Sequence, residues 1–250
     1  MHDSLPAKPE AKPKPWGLWA TLGFSVLVFV AFILIQTLVL TAFLSYQMAQ
    51  NPSADLMLLI RDLSTNGFVL SISTIASAPL CVALIVLFIK LRKRLSVKSY
   101  LGIRPPSRRE LITWCLITIF VITIVDLLKS LVDRPLVPNY VSEIYESALF
   151  LPALYLALIV MAPVFEEVFF RGFMFQGIKH SALGNLGAIG LPAIVWAIIH
   201  LQYAWYDIAG IFVFGVVLGY AQLKTKCIYV PIAMHALNNL LAVLQVSLKF

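Results

Sequence analysis

Between Pro15 and Ala54 no residue carries a charge, and the stretch is dominated by Leu, Val, Phe, Ala and Ile. A membrane-spanning helix needs about 20 such residues, whereas the apolar region of a cleavable signal peptide is only roughly 7–15 long. The first run is therefore an anchor that stays. On the same ruler, spans fall near 17–46, 67–89, 111–132 and 149–176, with shorter ones near 192–206, 208–223 and 228–248. Backbone polar groups in hydrocarbon must be satisfied within the segment, so apolar runs of this length are helices. The expected fold is an all-α polytopic transmembrane bundle of about seven to eight spans. Composition agrees, with 60% hydrophobic and 12% charged residues, against roughly 45–50% and 25% in a soluble domain. That balance excludes an ordinary cytosolic enzyme, a disordered chain and a nucleic-acid-binding module. Cys81, Cys115 and Cys227 sit in apolar runs without a metal-ligand spacing and read as small buried hydrophobes.

Charge sets the orientation. Residues 1–15, rich in Pro, Lys and Ala, read as a disordered cytoplasmic tail, and 16–250 as one membrane domain. Eight Lys and Arg residues crowd 90–109, Arg171 and Lys179 follow the fourth span, and Lys224 and Lys226 follow the sixth. With the N-terminus inside, all of these lie on the cytoplasmic face, as the positive-inside rule requires. The formal net charge of +7 is thus topological, with attraction to anionic lipid as a by-product. The expected location is an integral protein of a bacterial cell membrane.

Ionisable groups at membrane depth cost several kcal/mol and default to a functional hypothesis. Asp126 stands three residues before Lys129, and a local ion pair is the simplest account of it. The run APVFEEVFFRGFMF holds Glu166, Glu167 and Arg171. Glu167 and Arg171 are four apart with the acid first, the favoured order for a helical pair. Glu166 points about 100° away and has no partner on its own helix, which suits a general base. His200 lies in AIVWAIIHLQY; His235 and Asn239 share a face of VPIAMHALNNLL, with Asn238 beside them. Counting about 1.5 Å per residue, Glu166 lies roughly 25 Å from Leu149. On the same count His200 is about 12 Å from a helix start at Pro192, and His235 about 10 Å from Ile228. All three then meet just below the cytoplasmic face. A start near Ala182 would put His200 at about 27 Å and break the match.

At these residues the chain resembles the CAAX protease and bacteriocin-processing (CPBP, or Abi) family of intramembrane endopeptidases. EExxxR is present as Glu166 to Arg171, FxxxH as Trp196 to His200 with Trp in place of the usual Phe, and HxxxN as His235 to Asn239. Phe212, Gly215 and Gly219 also look like the family's glycine-spaced helix. The resemblance covers about 147–245 and implies a catalytic core there. It implies Glu166 as base, His200 as its partner on the attacking water, and His235 and Asn239 as the oxyanion site, with Glu167, Arg171 and Trp196 in support. It also implies peptide or membrane-protein substrates, a prenylated C-terminus among them. HExxH, a GxSG-like serine and a GxGD pair are absent from the sequence. A metal-free mechanism gives Asn239 a purpose and is preferred. The alternative is a zinc site formed by Glu166, His200 and His235 with one open position. The competing function is a non-catalytic membrane immunity or binding protein of the bacteriocin self-protection type.

Overall fold

Four of the described helices begin at a side chain that caps them. The computed structural model describes residues 14–93 and 95–248. Helix α1 is Leu18–Gln50, and α2 is Leu56–Ser64, capped by Asp55, whose carboxylate accepts from the Leu58 amide. Helix α3, Gly67–Leu91, starts at Asn66, whose side chain accepts from the amides of Phe68 and Val69. Helix α4, Val97–Leu101, ends at Gly102 in the left-handed region at φ 71°. Helix α5, Arg108–Leu131, opens on a reciprocal capping box between Ser107 and Glu110. Then come α6, Asn139–Glu146; α7, Leu151–Lys179; α8, Gly184–Ile198; α9, Trp205–Thr225; and α10, Tyr229–Ser247. Among the described residues all regular structure is helical. The tail expected at 1–15 lies outside the described residues except for Lys14 and Pro15.

Six helices, α1, α3, α5, α7, α9 and α10, are long and apolar enough to cross a membrane, and α8 is a shorter apolar helix. The chain is therefore an integral membrane protein built as a polytopic helical bundle. Many apolar side chains of α1 and α5, such as Leu38 and Leu131, point outward, which is tolerable only where lipid covers them. Helix α7 is central, and Phe165, Phe169, Phe170 and Phe173 on it form the middle of the buried core.

Contacts between connections define two ends of the bundle. At one end Gly102 lies against the α9–α10 turn: its carbonyl accepts from the Ile228 amide at 3.2 Å. A Cβ at Gly102 would come within 2.6 Å of the Lys226 carbonyl oxygen, so only glycine fits both the turn and the contact. Arg104 pairs with Glu110 and donates to the Thr225 carbonyl. This end carries the basic connection between α3 and α5, together with Lys179, Lys224 and Lys226. At the other end Gly67 meets α6 so closely that a Cβ would overlap the Ile144 carbonyl oxygen at 1.8 Å. There the rings of Tyr140 and Tyr203 also meet at 5.5 Å, joining α6 to the α8–α9 connection.

Two sequence expectations are corrected here. Helix α8 starts at Gly184, with Pro192 inside it rather than at its first turn. Gly184 supplies the positive φ, 56°, that the chain needs to turn into the helix after α7. The expected span at 192–206 is thus replaced by a helix that stops at Ile198. Asp126 and Lys129 do not pair with each other. Lys129 Nζ donates to Asp207 on α9 at 2.8 Å and to the Leu136 carbonyl at 2.7 Å, while Asp126 accepts from Gln245 on α10 at 3.0 Å. Asp207, buried in the first turn of α9, offers Lys129 a partner shielded from solvent.

Candidate active site

Helix α7 is not a uniform α-helix. Wide π turns occupy Leu156–Met161 and Val168–Met174, on either side of an α-helical segment Ala162–Glu167. Such turns occur frequently at functional sites, and here the first has a definite consequence. The Ala162 amide reaches back to the Ala157 carbonyl. The next potential donor to Leu158 is residue 163, a proline with no N–H. The Leu158 carbonyl is left without a helical donor, and Asn239 Nδ2 on α10 donates to it at 2.8 Å. Asn238 in turn donates to Asn239 Oδ1 at 3.0 Å. Asn239 is therefore oriented from both sides and keeps one amide hydrogen free.

The two adjacent carboxylates have opposite environments. Glu167 is fully buried. Its Oε1 accepts from Arg171 Nη1 at 3.0 Å and from His235 Nδ1 at 2.8 Å. Arg171 is buried as well, donates to the Gly215 carbonyl at 3.1 Å, and lies 4.7 Å from the Trp196 ring centroid. Gly215 is glycine because a Cβ there would press on Ala193, Trp196 and Arg171 at 3.1–3.2 Å. Glu166 is half-buried, lines a cavity, and accepts from Trp196 Nε1 through Oε2 at 2.5 Å. The Trp that replaces the usual Phe thus holds the unpaired glutamate.

Trp196 is the hub of the site. Its ring sits 5.3 Å from His235 and 5.5 Å from His200, and it is almost completely buried. His200 follows the end of α8 and caps it: Nδ1 faces the Trp196 carbonyl oxygen at 2.7 Å. A carbonyl only accepts, so Nδ1 carries the hydrogen and Nε2 of the neutral ring is an acceptor. His235 is fixed in the same sense, with Nδ1–H donated to the Glu167 carboxylate.

These residues converge on one cavity of about 900 Å³, lined by Glu166, Trp196, His200, His235, Asn238 and Asn239. Glu167 and Arg171 stand behind the wall. Sequence reasoning passed over Tyr203, three residues beyond His200, and Tyr140, which also line the cavity. Burial first, then Tyr140, Glu166 and Asp207 nearby, push the Tyr203 phenol well above its ordinary range. It stays a neutral donor. The available signal was an aromatic just past His200 in a polar turn, which carries no periodicity to mark it.

The depth reckoned from Pro192 does not describe how the groups meet. With α8 starting at Gly184, His200 is about 24 Å along the chain from that start, and Glu166 lies roughly 20 Å from Lys179 at 1.5 Å per residue. His235 lies in the second turn of α10, whose start follows the buried Cys227 and Ile228. The cluster sits near the middle of α7 rather than just inside the basic end.

Among the described residues no three of the His, Cys, Asp and Glu side chains are grouped to hold a metal ion. Glu166 Oε2 and both Nδ1 atoms are already engaged by Trp196 and Glu167.

Residues 148–241 match the family model described as Rce1-like, type II CAAX prenyl endopeptidase Rce1-like. The matched segment holds every residue of the three motifs and bears out the resemblance read from them. No curated protein and no solved structure matches the chain.

Proposed function

We propose that this chain, Rce1-like over residues 148–241, is an intramembrane endopeptidase that uses Glu166 and His200 to activate water. The observation that carries the reading is the division of labour between the two glutamates. Glu167 is consumed by Arg171 and His235, whereas Glu166 faces the cavity with only an indole N–H on it. Oε1 of Glu166 and Nε2 of His200 are acceptors for the two hydrogens of one water. Glu166 removes a proton as the water oxygen attacks the scissile carbonyl carbon, and the carbonyl oxygen becomes an oxyanion. His235 and Asn239 form the oxyanion site, Asn239 with its free amide hydrogen. Glu166 then returns its proton to the leaving amine as the carbon–nitrogen bond breaks. Every acid, base and oxyanion donor in this scheme is a side chain, and no resident metal takes part. The substrates are peptides or membrane proteins, and the apolar wall of Val121, Val125, Ile211 and Phe214 suits an apolar segment.

Proteomics of membrane fractions tests the reading. New peptide termini should appear with wild-type protein and fall by about 10²–10⁴-fold with Glu166→Gln, the usual contribution of a general base. Full cleavage by Glu166→Gln overturns the proposed base.

A further inference from the structure

We infer that the substrate reaches Glu166 from the extracytoplasmic side of the membrane. The class of chain cleaved is then one that presents an extended segment in the outer half of the bilayer or just beyond it. The inference takes the endopeptidase reading as its account of what happens at Glu166. The direction of access stands on two other observations.

The first is where the cavity opens. Its exposed polar wall is made by Ser64, Asn139, Glu143 and Gln202. These belong to the end of α2, to α6 and to the α8–α9 connection, all at the end of the bundle opposite the basic connections. Among the described residues, none of 92–107, 180–183 or 224–228 lines it. Toward the basic end the way is closed by packed, buried side chains: Phe170 and Phe173 of α7, Leu101 of α4, Leu218 of α9, and Ile228 and Met234. A Cβ added at Gly172 would approach Leu101 to 2.8 Å, which shows how little space remains there. Water or peptide therefore comes to Glu166 from the α6 end.

The second is charge. The closed end carries Lys90, Arg92, Lys93, Lys98, Arg108 and Arg109 on one connection and its flanks, with Lys179, Lys224 and Lys226 beside them. At the open end Arg61 and Arg134 are outnumbered by Asp55, Asp62, Asp133, Glu143 and Glu146, and Lys129 is already neutralised by Asp207. Loops dense in Lys and Arg stay in the cytoplasm. The closed end is then cytoplasmic and the mouth faces outward.

Cysteine accessibility in intact cells tests this with the full-length protein. Gln202→Cys stands at the mouth and Ser99→Cys on the exposed surface of α4. Wild type is the blank, since Cys81 and Cys227 are buried and Cys115 lies within α5. A membrane-impermeant maleimide should label Gln202→Cys in intact cells as fully as after permeabilisation, and Ser99→Cys only after permeabilisation. Asn139→Cys, also exposed at the mouth, repeats the first measurement if Gln202→Cys does not accumulate. The reverse pattern overturns the inference. Labelling does not depend on turnover, so the two readings fail separately. Absence of Glu166-dependent termini overturns the peptidase alone, whereas such termini on cytoplasmic segments overturn the direction of access alone.

Discussion

Glu166 and Glu167 are neighbours with the same chemistry, and their difference lies entirely in what surrounds them. Glu167 is sealed in with Arg171 and His235 at 3.0 and 2.8 Å, so neutralising it leaves a buried guanidinium and an imidazole without their acceptor. Removing one partner of a buried pair costs about 3–5 kcal/mol. Glu167→Gln should therefore lower the melting temperature and yield in detergent, while Glu166→Gln melts like the wild type and loses only turnover. A Glu167→Gln protein as stable as the wild type would mean that Arg171 is solvated and the pair is not structural. Trp196 links the two environments: its indole N–H holds Glu166 and its ring lies over Arg171.

At the scale of elements, the site is assembled from one irregular helix and two helix ends. The π turn of α7 and Pro163 together free the Leu158 carbonyl for Asn239, which ties α10 to α7. His200 fixes the end of α8 by capping the Trp196 carbonyl, a satisfaction that helix ends require. Lys129 and Asp207 fasten α5 to the start of α9, both nearly buried and 2.8 Å apart. Asp207→Asn should strand Lys129 and destabilise the bundle by about 3–5 kcal/mol. The double replacement Lys129→Met with Asp207→Leu should recover most of that loss, because an apolar pair of similar volume avoids the desolvation of two charges. Thermal unfolding in detergent measures both, and a double variant as unstable as Asp207→Asn would show that the attraction itself is required.

For the molecule as a whole, the central matter is what chemistry a cavity assembled from separate helices can support. Glu166 of α7, His200 just past α8, and His235 and Asn239 of α10 all line it, and the proposed steps need only these side chains. The purified protein should carry no stoichiometric zinc, and Glu166-dependent cleavage should persist after chelation. Loss of activity to a chelator with recovery on adding Zn²⁺ would favour the metal-dependent mechanism.

Hydropathy and basic-residue placement are local properties, so the sequence by itself determined that the chain is a helical membrane bundle, where its long spans lie, and which end of the bundle is basic. The three motifs were equally legible, because EExxxR, the aromatic with its histidine, and HxxxN are each only five or six residues long. The Glu167–Arg171 pair followed from helical spacing alone and is present. Other features were beyond a one-dimensional reading. Gly184 and Pro192 both suit a helix start, and only packing against α7 and α9 selects Gly184. Lys129 has an acid three residues away, yet its partner is 78 positions along the chain, because Asp207 is buried against Lys129 while Asp126 is held by Gln245. The cavity's mouth, the packed floor beneath it and the indole on Glu166 depend on which faces of separate helices meet. That is decided by the packing of large and small side chains across the bundle, and the tertiary structure alone contains it.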